Sequence, residues 1–195
     1  MAEPLCPAWL SFALTNVFRR AVHDPARLLR PFVSEGDTVV DVGCGPGFFI
    51  IPMARLVGPR GRVVAVDIQP EMLEKTRRRA KRAGVDDRIR LHLAGRDSLG
   101  LDVRADFALA FWMAHEVDDL VKFFGDILGA LKPDGLALLV EPRVHVPARR
   151  YAEIVVAAVS AGFEPFRTEP VRLSRAVVLR PEGPSKLRRS GDTGS

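Results

Sequence analysis

Cysteine is nearly missing from this chain. The 195 residues hold two, Cys6 and Cys44, too few for a disulfide framework. Tyrosine occurs once and aromatic residues make up 7%. No apolar run approaches the ~20 residues of a membrane-spanning helix, so no membrane partner is expected. The first residues offer neither a basic leader nor a secretory apolar core, and a cytoplasmic location is the expectation. What is plentiful is apolar material, 47% of residues, enough for one substantial core. The net charge of +5 is clustered at Arg77, Arg78, Arg79, Lys81 and Arg82 and at Lys186, Arg188 and Arg189. A run like 77–82 wraps much of a helix and reads first as a solvated outer face. The stretch 183–195 has too few apolar residues to pack and is expected to be a disordered tail.

The most informative residues are 39–47, Val-Val-Asp-Val-Gly-Cys-Gly-Pro-Gly. They read as a buried strand entering a glycine turn, with Phe48 opening a helix. Such a turn lets backbone approach a ligand where a Cβ would collide. Twenty residues on, Val63-Val64-Ala65-Val66 forms a second apolar strand ending in Asp67. An acid there can accept hydrogen bonds from both hydroxyls of a ribose. A dinucleotide fingerprint G-x-G-x-x-G would need its third glycine at 48, which is Phe48. No lysine follows in the pattern of a triphosphate-binding loop either.

The glycine spacing and the acid together resemble the class I S-adenosylmethionine-dependent methyltransferases, whose first motif looks like Asp41-Val42-Gly43-Cys44-Gly45-Pro46-Gly47. The resemblance covers about 34–181. It implies S-adenosyl-L-methionine as cofactor, with the turn of Gly43, Cys44, Gly45 and Gly47 near its methionine part. Asp41 either reaches the cofactor amino group, directly or through water, or caps the turn. Asp67 would hold the ribose, and Ile68 would stack on the adenine. The family's usual Gly-Asp pair after the third strand falls on Ala94 and Gly95, a departure. Asp97, two residues on, either meets the adenine amine or caps the following turn.

Strand and helix patterns alternate along the chain, which implies a mostly parallel sheet covered on both faces. Helices are expected near 48–57, 71–83, 118–131 and 147–161. Strands are expected at 62–67, 88–93, Ala105–Phe111 and Leu136–Val140, the last delivered by a turn at Lys132-Pro133-Asp134-Gly135. Two final strands near 163–168 and 175–180 would form an antiparallel hairpin. The expected architecture is a Rossmann-like α/β fold with seven strands, spanning 34–182. Residues 1–33 form a helical segment, either a lid over the site or a cover for the sheet edge. Trp9 and Cys6 would line such a lid.

Phe111-Trp112-Met113-Ala114-His115-Glu116 follows the fourth strand, where reactants gather in an open α/β sheet. Phe111 is placed against the cofactor by the resemblance. The stretch is similar to one in ubiquinone and menaquinone C-methyltransferases. His115, with Glu116 beside it, either takes a proton from the acceptor or caps the next helix and orders the loop. Beyond the fifth strand, Arg143 could bind an anionic substrate and His145 could be a second proton acceptor. Cys6, His115, Glu141 and His145 lack the tight pair spacing of a zinc site, so no metal is expected.

Motifs of other acceptors are missing: there is no Asn-Pro-Pro-Tyr type segment and no Pro-Cys nucleophile. The reading is a methyltransferase acting on a small molecule. Two alternatives stand beside it. One is an RNA methyltransferase gripping phosphates through helix 71–83 and the tail; the other is a non-catalytic binding protein for S-adenosylmethionine.

Overall fold

A computed structural model describes residues 24–183. The expected lid helix, with Cys6 and Trp9, and the tail from 184 onward lie outside the described residues. Residues 24–33 do not stand apart as a lid. Asp24 caps a short helix, α1 (Pro25–Leu29), by accepting from the backbone N–H of Ala26 and Arg27. Leu29, Phe32 and Val33 then enter the core, where Phe32 stacks on Phe107 at 5.3 Å between ring centroids.

The sheet has seven strands: β1 (Thr38–Val42), β2 (Arg62–Asp67), β3 (Ile89–Leu93), β4 (Ala105–Phe111), β5 (Leu131–Pro142), β6 (Phe163–Thr168) and β7 (Ser174–Pro181). Their spatial order is β3-β2-β1-β4-β5-β7-β6. The first five are parallel neighbours, and β7 runs antiparallel to both β5 and β6. This is the Rossmann-like mostly parallel sheet with a terminal hairpin that the alternation of patterns predicts. Strand order reverses between β1 and β4, so a crevice opens above their carboxyl ends.

Both faces are covered because the strands are apolar on both sides. Val39 and Phe107 point to a layer built from α1, α2 (Ile50–Leu56) and α3 (Pro70–Ala83), with Ile50, Met53 and Leu73 buried. Val40 and Ala108 point the other way, to α4 (Leu120–Ala130) and α5 (Ala148–Ser160), through Phe124, Ile127 and Ile154. A fully buried aliphatic or aromatic side chain contributes roughly 1.5–3 kcal/mol, and the two layers bury many. Gly84, left-handed at φ 64°, closes α3 by donating to the carbonyls of Ala80 and Lys81.

Two boundaries differ from expectation. The helix expected near 48–57, α2, begins at Ile50, because Phe48 and Phe49 still belong to the turn and pack edge to face. The segment Lys132–Gly135 does not precede the fifth strand but sits inside it. Leu131 already pairs with Ala105, and pairing resumes at Leu136 with Phe107. The intervening residues bulge out opposite Asp106, whose carboxylate takes Lys132 Nζ at 2.6 Å and the Thr38 N–H at 2.9 Å.

Candidate active site

The carboxyl ends of β1 and β2 are tied together by one side chain. Asp67, the last residue of β2, accepts the Gly45 N–H on Oδ2 at 2.8 Å and the Gln69 N–H on Oδ1 at 2.9 Å. Burial pushes its carboxyl up from the ordinary range, against the pull of those N–H groups. Each carboxylate oxygen has two acceptor directions, so both can still take a hydroxyl. Ile68 and Leu93, at the tips of β2 and β3, are 55% and 57% exposed although apolar. An acid with acceptor capacity between two exposed aliphatic residues suits an adenosine: hydroxyls to the acid, the flat ring on the apolar rim. Ile68 follows Asp67 directly and is exposed. Leu93 was not foreseen, since sequence alone does not tell which strand ends stay bare.

The glycine turn is held from behind. Gly43, Gly45 and Gly47 all have positive φ, at 70°, 53° and 79°. A Cβ on Gly43 would lie 2.9 Å from Met113 Cγ, and one on Gly47 2.8 Å from Thr76 Oγ1. Glycine is therefore required there by the turn's own packing as well as by its backbone. Thr76 donates to the Gly45 carbonyl at 3.0 Å, and Arg79 to the Pro46 carbonyl at 2.7 Å. Arg79 thus leaves the solvated face to which the basic run assigned it. Cys44 contributes backbone: its side chain is buried, and burial together with Asp41 and Asp67 drives the thiol far above its usual range. Asp41 is buried at the foot of the turn.

On the other side of the crevice lies a histidine–carboxylate pair. His115 sits in a short 3-10 turn after β4, and Glu141 lies near the end of β5. His115 Nδ1 is 2.6 Å from Glu141 Oε2, and Glu141 is fully buried. A carboxylate only accepts, so the proton of the neutral imidazole sits on Nδ1 and the lone pair on Nε2. Neither His115 nor Glu116 caps the next helix. Asp119 does, accepting the Lys122 N–H at 3.0 Å.

The remaining expected residues separate. Glu116 is largely exposed, 3.9 Å from His115 Nε2. His145 is exposed in the segment between β5 and α5, away from any partner among the described residues. Phe111 is 2% exposed and packs on Phe49 and Trp112, so it builds the floor of the crevice. Asp97 is exposed and does not cap the following turn. Asp126 holds that turn instead, through Ser98 Oγ and the Leu99 N–H. Among the described residues no three His, Cys, Asp or Glu side chains gather as a metal site.

Beyond Glu141 the surface opens into a cleft of about 740 Å³ lined by Arg143, Tyr151, Arg172, Ser174 and Arg175. Trp112, left-handed at φ 57°, spans from the floor to this cleft, donating from Nε1 to Ser174 Oγ at 3.0 Å.

Residues 33–164 match the family model described as a methyltransferase domain. The chain is 31% identical over 163 residues to the ribosomal protein L11 methyltransferase of Pectobacterium carotovorum, covering 76% of this chain and 54% of that one. It is 30% identical over 133 residues to the ubiquinone/menaquinone biosynthesis C-methyltransferase of Pasteurella multocida, covering 68% and 48%. The chain thus spans about half the length of these curated relatives. Among solved structures, a SAM-dependent methyltransferase from Aquifex aeolicus superposes with a TM-score of 0.73 at 23% identity, covering 83% of this chain and 91% of the other.

Proposed function

This chain belongs to the methyltransferase domain family, with the class I S-adenosylmethionine-dependent architecture, and on that premise we propose that it methylates a small-molecule acceptor bound in the cleft beside Glu141. The observation that carries the acceptor class is that cleft: about 740 Å³ lies within the range of small-molecule pockets, and its wall residue Arg175 pairs across the sheet with Glu141.

The residues divide the work. Asp67, Ile68 and Leu93 would hold the adenosine of S-adenosylmethionine, and the backbone of Gly43–Gly47 would lie along its methionine part. When bound, that cofactor supplies an electrophilic methyl group on a sulfonium. His115 Nε2 accepts the proton that the acceptor gives up as its new bond to the methyl forms. Glu141 fixes the imidazole's tautomer from behind and steadies the positive charge that it acquires. Phe111 and Trp112 keep the floor dry and rigid, so that alignment supplies much of the rate.

An RNA acceptor finds less support. Arg77 and Arg78 both pair with Glu74, and Arg79 is spent on the Pro46 carbonyl, which thins the phosphate grip of α3. The test is calorimetry with S-adenosylhomocysteine, S-adenosylmethionine and NAD, followed by release of S-adenosylhomocysteine in the presence of small acceptors or RNA. Micromolar binding of the two adenosyl sulfur compounds alone, with turnover on a small acceptor, is the expected result. Binding without turnover on any acceptor would move the non-catalytic reading to the front, no binding would overturn the cofactor assignment, and salt-sensitive turnover on RNA would replace the acceptor class.

A further inference from the structure

We propose that the cleft beyond Glu141 is an anion site: Arg143, Arg172 and Arg175 grip a carboxylate or phosphate group on a small acceptor and so set its orientation toward His115. The proposal rests on the methyl-transfer reading and adds the chemical class of the substrate.

Three arginines line one concavity, and none of them pairs with a carboxylate among the described residues. Two are held in place by backbone carbonyls. Arg143 Nε donates to Ser174 O at 3.0 Å, and Arg175 Nη1 donates to Val146 O at 2.9 Å. The other N–H groups of each fork remain for a ligand, already oriented, which lowers the entropic cost of gripping an anion. Glu169 also lines the cleft, but its carboxylate is engaged by Arg167 at 3.4 Å. Glu141 lies behind the wall and directs Oε2 to His115. The local balance is strongly positive. Tyr151 adds a neutral donor, since burial and the charge of Glu141 push its phenol up to about 12.

The backbone around the cleft is strained in a way that an idle surface loop would not need. Leu173 is left-handed at φ 56°, and with Trp112 it makes up the non-glycine residues at positive φ among those described. The two are linked: Leu173 accepts the Arg143 N–H at 3.0 Å, and its neighbour Ser174 accepts from Trp112. Each such residue costs about 1–3 kcal/mol and persists where surroundings over-determine it. Here the strain presents Arg172 and Ser174 on the cleft wall and joins that wall to the crevice floor.

The test titrates the full chain, saturated with S-adenosylhomocysteine, with benzoate, phenyl phosphate and the neutral isostere benzamide. Arg172→Gln is the informative variant, because Arg172 is exposed and its side chain holds no other group among the described residues. Arg149→Gln, on the outside of α5, controls for general charge. At least one anion should bind, with benzamide far weaker, and R172Q should raise its Kd about tenfold or more while R149Q does not. The preference between benzoate and phenyl phosphate identifies the anion. Equal binding of benzamide, no binding of either anion, or an unchanged Kd in R172Q would overturn the proposal. Failure of S-adenosylhomocysteine itself to bind would overturn the methyl-transfer reading, and the same titration reports it separately.

Discussion

His115, from the turn after β4, and Glu141, near the end of β5, meet at 2.6 Å with the carboxylate sealed from solvent. Two parallel strands side by side place their carboxyl ends at one level, so a residue four beyond β4 can reach one near the end of β5. The pairing fixes which imidazole nitrogen carries the lone pair.

From this geometry the imidazole proton of the folded protein should reside on Nδ1. Nitrogen-15 correlation spectra of the histidines report the tautomer directly. Glu141→Gln should shift the tautomer and lower turnover about tenfold or more, with the S-adenosylmethionine KM nearly unchanged. An unaltered tautomer together with unaltered turnover would reduce the pair to a structural contact.

Asp67 leads to a pH dependence. Its folded-state pKa is raised by burial. Its contribution to folding stability is therefore full below the ordinary carboxylate value and is lost as pH rises through the raised one. Ligand binding runs the other way, because ribose hydroxyls need the ionised acid as acceptor. Affinity for S-adenosylhomocysteine should fall on acidification, beginning at a higher pH than an ordinary aspartate would give. Calorimetry between about pH 4.5 and 8 checks this. Asp67→Asn should bind at least about tenfold more weakly and show a flatter profile. An Asp67→Asn protein with full affinity would remove the ribose role.

The strands and the geometry of the glycine turn were legible because their signals are local. A β-branched run, alternating glycines and an acid one strand on are fixed by the neighbours of each residue. Asp67 ends β2 as that pattern predicts, with Ile68 next to it. What was hidden depends on contacts far apart in the chain. Nothing near Glu141 says that it meets His115, 26 residues away, and nothing near Arg79 says that it will hold Pro46 and not face water. Likewise the turn chemistry of Lys132-Pro133-Asp134-Gly135 is real, yet Leu131 had already joined the sheet opposite Ala105. His145 and Asp97 illustrate the converse: the path of the loop leaves both exposed and unpartnered among the described residues.

Cys44 should be inert. Its thiol is buried, and the nearby carboxyl groups of Asp41 and Asp67 add to burial in disfavouring the thiolate. Alkylation by iodoacetamide at pH 8, read by peptide mass spectrometry, should leave Cys44 unmodified in the native protein and label it fully in denaturant. Rapid native labelling would mean that the turn opens on the timescale of the reaction.

Gly47→Ala tests whether the turn is held by the helix behind it. The new methyl group would lie 2.8 Å from Thr76 Oγ1, at a backbone φ of 79° that alanine resists. The backbone cost is about 1–2 kcal/mol. Displacing Thr76 also breaks its hydrogen bond to the Gly45 carbonyl, worth about 1 kcal/mol. Together they should lower the melting temperature by roughly 4–10 °C in a chain of this size. Binding of S-adenosylhomocysteine should weaken more than stability alone explains, because Gly45 also donates to Asp67 and the turn cannot shift without moving that bond. A second change, Thr76→Ala, removes the hydroxyl that the new methyl strikes. The double variant should then lose less than the sum of the two single losses, measured as melting temperature and as Kd. Strict additivity would mean that the cost of Gly47→Ala is backbone strain alone, and that α3 does not position the turn.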